Sequence, residues 1–106
     1  MMSDKEYLKE EIDELIGNIK ALTKLIVAKY DPLEIYNDEL MAVCSTQCRA
    51  FRKLRTRIQA NDERDYQALM DDLLQQTWTA FAAIIGVNSA FVEDLYFGYV
   101  NSITVK

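Results

Sequence analysis

The segment LKEEIDELIGNIKALTKLI, residues 8–26, decides the fold of this chain. Its large aliphatic side chains recur at alternating steps of four and three, at Leu8, Ile12, Leu15, Ile19, Leu22 and Ile26. This spacing places all six on one face of an α-helix, where they form a stripe to be buried. Ser3 or Asp4 is suited to cap the N-terminus of this helix. Gly17 interrupts the pattern, and we expect it to mark a close helix crossing.

A proline-containing turn separates the first helix from a second one. In Asp31-Pro32-Leu33-Glu34, proline suits the first helical position, Asp31 can cap, and Glu34 can complete a capping box. We therefore predict a second helix from about Pro32 to Gln59. Its apolar stripe consists of Leu40, Cys44, Phe51, Leu54 and Ile58, with Leu33, Tyr36 and Met41 beside it.

Two further turns define a third and a fourth helix. The third is expected to follow a cap at Asn61 or Asp62 and to end near Ile85, where Gly86 provides a left-handed terminus. Its predicted inward side chains are Tyr66, Leu69, Met70, Leu73, Leu74, Thr77, Trp78, Phe81, Ile84 and Ile85. The fourth is predicted over residues 90–101, capped by Asn88 or Ser89. Residues 103–106 are assigned to no helix; they are β-branched at three of four positions and could form a short extended arm.

Four helices joined by short turns predict a single all-α domain over residues 1–106. The expected architecture is four-helix bundle-like, with largely antiparallel neighbours. No stretch approaches the roughly 18 apolar residues of a membrane span, and no signal peptide is evident. We therefore expect a cytoplasmic protein without a membrane partner. The segment 77–85 carries no charge, so it is predicted to be a central helix or part of a homodimer interface.

The composition restricts the chemistry available to the chain. It has no histidine, which excludes Ser-His-Asp and Cys-His catalysis and histidine metal sites. Cys44 and Cys48 lie four residues apart, where a disulfide would be strained, and we expect two reduced core residues. No catalytic residues are predicted, and whether the chain is an enzyme stays open.

Charge is unevenly distributed along the sequence. Seventeen acidic and twelve basic residues give a net charge of −5, which disfavours nucleic acid as a partner because the field repels phosphate. Residues 49–57 nevertheless hold five bases and no acid. These bases complement the dipole at the end of the second helix or form a binding patch, for which Arg49, Arg52 and Lys53 are the candidates.

The fourth helix carries more aromatic residues than one inner face can accommodate. Phe91, Tyr96, Phe97 and Tyr99 occupy more than one side of it. Aromatic side chains at a surface are typical of protein interfaces. Tyr96, Phe97 and Tyr99 are therefore predicted to contact a protein partner.

A carboxylate cluster offers a second interpretation. Glu10, Glu11 and Glu14 form an EExxE pattern on the first helix, and Asp71 and Asp72 lie on the third. The pattern resembles the first half of the motif of MazG-type nucleoside triphosphate pyrophosphohydrolases, which continues as ExxD on another helix. That resemblance implies an oligomeric, all-α, Mg²⁺-dependent enzyme with Glu10, Glu11, Glu14 and Asp71 as metal ligands. The chain departs from the motif at Ala68, where the first acid of ExxD would stand.

The two interpretations lead to different functions. We predict a small acidic helical protein-binding or regulatory protein without a cofactor, such as an immunity protein, an antitoxin, a phage-type regulator or a chaperone-like protein. It would mask a surface of its partner, and the acidic charge favours a basic partner. The alternative is a MazG-like Mg²⁺-dependent pyrophosphohydrolase.

Overall fold

A computed structural model describes residues 3–59 and 63–104, and these residues form four helices and no strand. The helices are α1 (Asp4–Tyr30), α2 (Asn37–Arg57), α3 (Tyr66–Ile85) and α4 (Ser89–Thr104). α1 and α3 each pack against both α2 and α4, so α2 and α4 lie diagonally across the bundle. The predicted all-α, four-helix bundle-like fold is confirmed.

The long apolar stripe of α1 forms one wall of the core. All six residues of the predicted stripe are buried, and Ile16 and Thr23 are buried beside them. Phe51 of α2 and Phe81 of α3 are fully buried opposite. Each such large apolar side chain contributes about 1.5–3 kcal/mol when it is removed from water. The apolar stripe of α1 therefore contributes to a core that all four helices share.

The fourth helix crosses the bundle obliquely. Gly86 adopts the predicted left-handed conformation, with φ of 77°, and ends α3. The chain then turns by 111° between α3 and α4, so α4 is not fully antiparallel to α3. Among the described residues, no single helix has both the length and the hydropathy to cross a membrane; only the bent α3–α4 pair meets those criteria together.

The second helix begins later than predicted. The carboxylate of Asp31 accepts hydrogen bonds from the backbone N–H groups of Ile35 (2.8 Å) and Tyr36 (2.9 Å), which closes a turn instead of starting a helix. Glu34 does not complete a capping box, because its φ of 57° lies in the left-handed region. Helix α2 starts at Asn37, and the three residues predicted to lie beside its stripe are all exposed: Leu33, Tyr36 and Met41.

The ends of α3 and α4 also differ from the prediction. The expected caps Asn61 and Asp62 lie outside the described residues, and the cap of α3 is Asp65, whose Oδ1 accepts from the Ala68 N–H at 3.0 Å. Leu69 was expected inside but is 41% exposed. Ile103 belongs to the last turn of α4 and not to an extended arm, because nothing between residues 89 and 104 breaks the helix. Residues 105 and 106 of the predicted arm are not described.

Candidate functional site

A groove of about 370 Å³ lies between α1, α3 and the oblique α4. Its charged side chains are Glu11 and Glu14 of α1 and Asp71 of α3, and none of the described basic residues lines it. Apolar side chains of Leu15, Met70, Leu74 and Val100 form part of its wall. We call this site the acidic groove.

One face of α1 forms a side of the acidic groove. Tyr7, Glu11, Glu14 and Asn18 follow one another at steps of four, three and four, so they share one face of the helix. This face lies directly beside the buried stripe. On α3, the Gln67 side-chain amide donates a hydrogen bond to Asp71 Oδ1 at 3.2 Å, which orients that carboxylate.

Two aromatic rings are exposed at the acidic groove. Tyr7 is 63% exposed and Phe97 is 46% exposed, and both line it. Tyr99, the third residue of the aromatic prediction, is half-buried. Exposed aromatic rings beside carboxylates supply both apolar contact area and faces for cation–π interaction.

Tyr96 lines the acidic groove and packs into the core. It is 5% exposed, its ring centroid lies 4.7 Å from that of Trp78, and Phe97 packs edge-on against it at 5.3 Å. Burial raises the pKa of Tyr96, the hydrogen bond with Asn18 opposes that rise, and the nearby charge of Glu14 adds to it. The hydroxyl therefore stays neutral, and Tyr96 supports Phe97 more than it presents a surface of its own.

The acids of the pyrophosphohydrolase interpretation are only partly brought together. Glu11, Glu14 and Asp71 line the same groove, whereas Glu10 is exposed and does not line it. Within residues 3–59 and 63–104, no three Asp, Glu, Cys or His side chains are close enough together to hold a metal ion.

The basic run of α2 lies on the other side of the molecule. Arg55 Nε lies 2.8 Å from Asp13 Oδ1, which ties α2 to α1. Arg49, Arg52 and Lys53 are exposed, and no carboxylate of the described residues lies within 4 Å of them. We call these three residues the basic face.

The two cysteines are free and buried. Burial raises the pKa of the Cys48 thiol to about 11, and the neighbouring Cys44 adds to that shift. A thiol of this kind is protonated at neutral pH and is a poor nucleophile. Both cysteines lie in the core, as predicted.

Scans against protein-family models, curated proteins and solved structures gave no match to this chain.

The sequence prediction omits Tyr7, Asn18 and Gln67, although all three line the acidic groove. The signal for the first two is the second α1 stripe at residues 7, 11, 14 and 18, which runs parallel to the apolar stripe. The contribution of α3 depends on the angle of α4, which no local pattern specifies.

Proposed function

We propose that this chain is a small acidic protein-binding protein that holds a basic segment of a partner in the acidic groove and thereby masks it. One observation carries the proposal: three carboxylates, with no cation beside them among the residues described as lining the groove, lie between the exposed rings of Tyr7 and Phe97. An immunity protein, an antitoxin, a phage-type regulator or a chaperone-like protein would each act in this way.

The carboxylates and the rings have different roles in this proposal. Glu11, Glu14 and Asp71 attract a basic segment and select against acidic ones, which raises the association rate at low salt. Phe97 and Tyr7 provide affinity, because aromatic side chains dominate the energetics of most protein interfaces. An arginine of the partner can satisfy both, since its guanidinium pairs with a carboxylate and stacks on a ring.

The net charge of −5 supports a basic partner, because the long-range field adds to the local attraction of the acidic groove. Two free, buried cysteines are compatible with a reducing compartment, which supports our proposal of a cytoplasmic location.

A paired capture experiment tests the proposal. The tagged chain is compared with a groove variant (Glu11→Gln, Glu14→Gln, Asp71→Asn) and with a control variant (Glu6→Gln, Glu10→Gln, Asp38→Asn) in which exposed acids outside the groove lose the same charge. We expect the wild type and the control to retain the same basic protein from a lysate of the source organism, and the groove variant to lose it. Equal retention by all three proteins would refute the proposal.

The same variants test the pyrophosphohydrolase alternative. Glu11, Glu14 and Asp71 line one groove, but among the described residues they are not close enough together to hold a metal ion. That alternative expects Mg²⁺-dependent release of pyrophosphate from nucleoside triphosphates. It also expects the activity to disappear in the groove variant and, because Glu10 is one of its metal ligands, in the control variant. A protein-binding role expects no such turnover in any of the three proteins.

A further inference from the structure

We infer that the acidic groove also accepts the basic face of a second copy of this chain, so that self-association competes with the partner. The inference rests on the proposed function, since it assigns a second occupant to the same groove. The two surfaces are complementary in charge. Among the described residues, the groove is lined by three carboxylates and no cation, and the basic face has three cations with no carboxylate within 4 Å, although Asp72 lines a neighbouring groove with Lys53.

The two surfaces lie on opposite sides of one molecule. The basic face belongs to the solvent side of α2, and α4, which borders the acidic groove, lies diagonally across the bundle from α2. A chain therefore cannot bring its own basic face into its own groove. Only a second copy can pair these charges.

The spacing of the charges also matches. Glu11 and Glu14 are three residues apart on α1, and Arg49 and Arg52 are three residues apart on α2, so each pair is separated by about 4.5 Å along its helix. From Tyr7 to Asn18 the acidic groove extends about 16 Å along α1, which exceeds the roughly 6 Å from Arg49 to Lys53. The exposed side of α2 is the convex surface of a single helix, and the acidic groove is the concave surface that would receive it.

The positions of the surfaces determine what assembly results. A contact between two different surfaces on opposite sides of a molecule leaves one free surface at each end, so copies add head to tail and do not close as a two-fold dimer. Every internal copy has an occupied groove. Dissociation at low concentration or high salt therefore exposes the groove to a partner.

Sedimentation velocity of the 106-residue chain tests this inference. We expect the average mass to rise with protein concentration at about 20 mM salt and to return to that of the monomer at about 500 mM, where charges are screened within a few ångströms. A wild type that stays monomeric at both salt concentrations, up to millimolar protein, would overturn the inference.

Charge reversal identifies the surfaces. A groove-reversed variant (Glu11→Lys, Glu14→Lys) and a face-reversed variant (Arg49→Glu, Arg52→Glu) should each be monomeric at low salt. Mixing them should restore assembly, because each reversed surface then meets an opposite charge. A control with Glu6→Lys and Glu10→Lys should assemble like the wild type. Persistent assembly of either single variant, or a mixture that stays monomeric, would contradict the inference.

The outcome separates the two proposals. A monomeric wild type that still captures a basic partner through the acidic groove leaves the proposed function intact and removes only self-association. If assembly occurs but no partner is bound, the groove serves a second copy alone and the masking function fails.

Discussion

At the scale of single residues, Gly17 lies inside α1 and Gly86 caps the C-terminus of α3, so alanine should have opposite effects at the two positions. A methyl group added at Gly17 would meet no atom within 4 Å, so this glycine does not mark the close crossing that we expected. Gly86 has a φ of 77°, which favours glycine. We predict that Gly17→Ala raises the free energy of unfolding by about 0.5–1 kcal/mol. Gly86→Ala should lower it, and urea denaturation of both variants measures the difference. A loss of stability in Gly17→Ala would show an unrecognised contact at that position.

Asp31 is a buried carboxylate that organises the turn before α2. It is 3% exposed and accepts two backbone hydrogen bonds. Asp31→Ala leaves those N–H groups without their partner, and we predict a loss of about 1–3 kcal/mol in unfolding free energy. Asp31→Asn keeps one side-chain acceptor oxygen and should lose less. Equal stability of Asp31→Ala and the wild type, by the same denaturation assay, would exclude this role.

The raised pKa of Cys48 has a measurable pH signature. In the unfolded chain the thiol ionises near pH 9, whereas in the fold it stays protonated up to about pH 11. The unfolded state therefore loses its proton first, and the folded state loses relative stability as pH rises between these values. We predict that stability declines less steeply from pH 9 to 11 in Cys48→Ala than in the wild type. Equal slopes of stability against pH in the two proteins would show that the fold does not raise the pKa of this thiol.

At the scale of helices, α4 is held less firmly than α1. Val92 and Tyr96 are the buried side chains among the described residues of α4, against eight in α1. Local opening is easiest where few apolar contacts must be broken. We predict that the amides of α4 exchange with solvent at least tenfold faster than the central amides of α1 (about 1.4 kcal/mol less protection).

Gly98→Ala provides the matched control for that prediction. A methyl group at Gly98 meets no atom within 4 Å and should slow exchange in α4 without affecting α1. Amides of α4 that are as protected as those of α1 in the wild type would contradict the assigned order of stability.

The helices differ in how well local sequence predicts them. The α1 stripe, Ser3 as the cap and the left-handed Gly86 follow from nearby residues, and the structure has all three. The start of α2 does not follow from nearby residues, because the Asp31 side chain can either cap a helix or close a turn. In the structure it closes the turn, by accepting hydrogen bonds from Ile35 and Tyr36. The acidic groove is the least predictable feature. Its α1 face can be recognised in the sequence as a second stripe, but the position of its α4 wall depends on the 111° turn before α4.

At the scale of the whole molecule, charge is divided between two sides of the bundle. The acidic groove lies by α4 and the basic face on α2, while the net charge remains −5. Association through the groove should therefore depend strongly on salt, whereas contacts of its rings should not. We predict that Phe97→Ala weakens partner binding by about 2 kcal/mol or more at every salt concentration. In the groove variant, the loss of binding should be greatest at low salt. Isothermal titration with the captured partner at several salt concentrations distinguishes the two, and identical salt slopes for wild type and groove variant would contradict the assigned roles.

The most direct test of the central claim is an NMR titration of the ¹⁵N-labelled chain with a short amphipathic peptide rich in arginine and leucine. A second peptide, in which glutamate replaces each arginine, is the control. We predict saturable shifts from the basic peptide at residues 7–18 and around Phe97, their loss in the groove variant, and none from the acidic peptide. Shifts that do not saturate, or that centre outside the acidic groove, would contradict the claim that this groove is a binding site for basic protein segments.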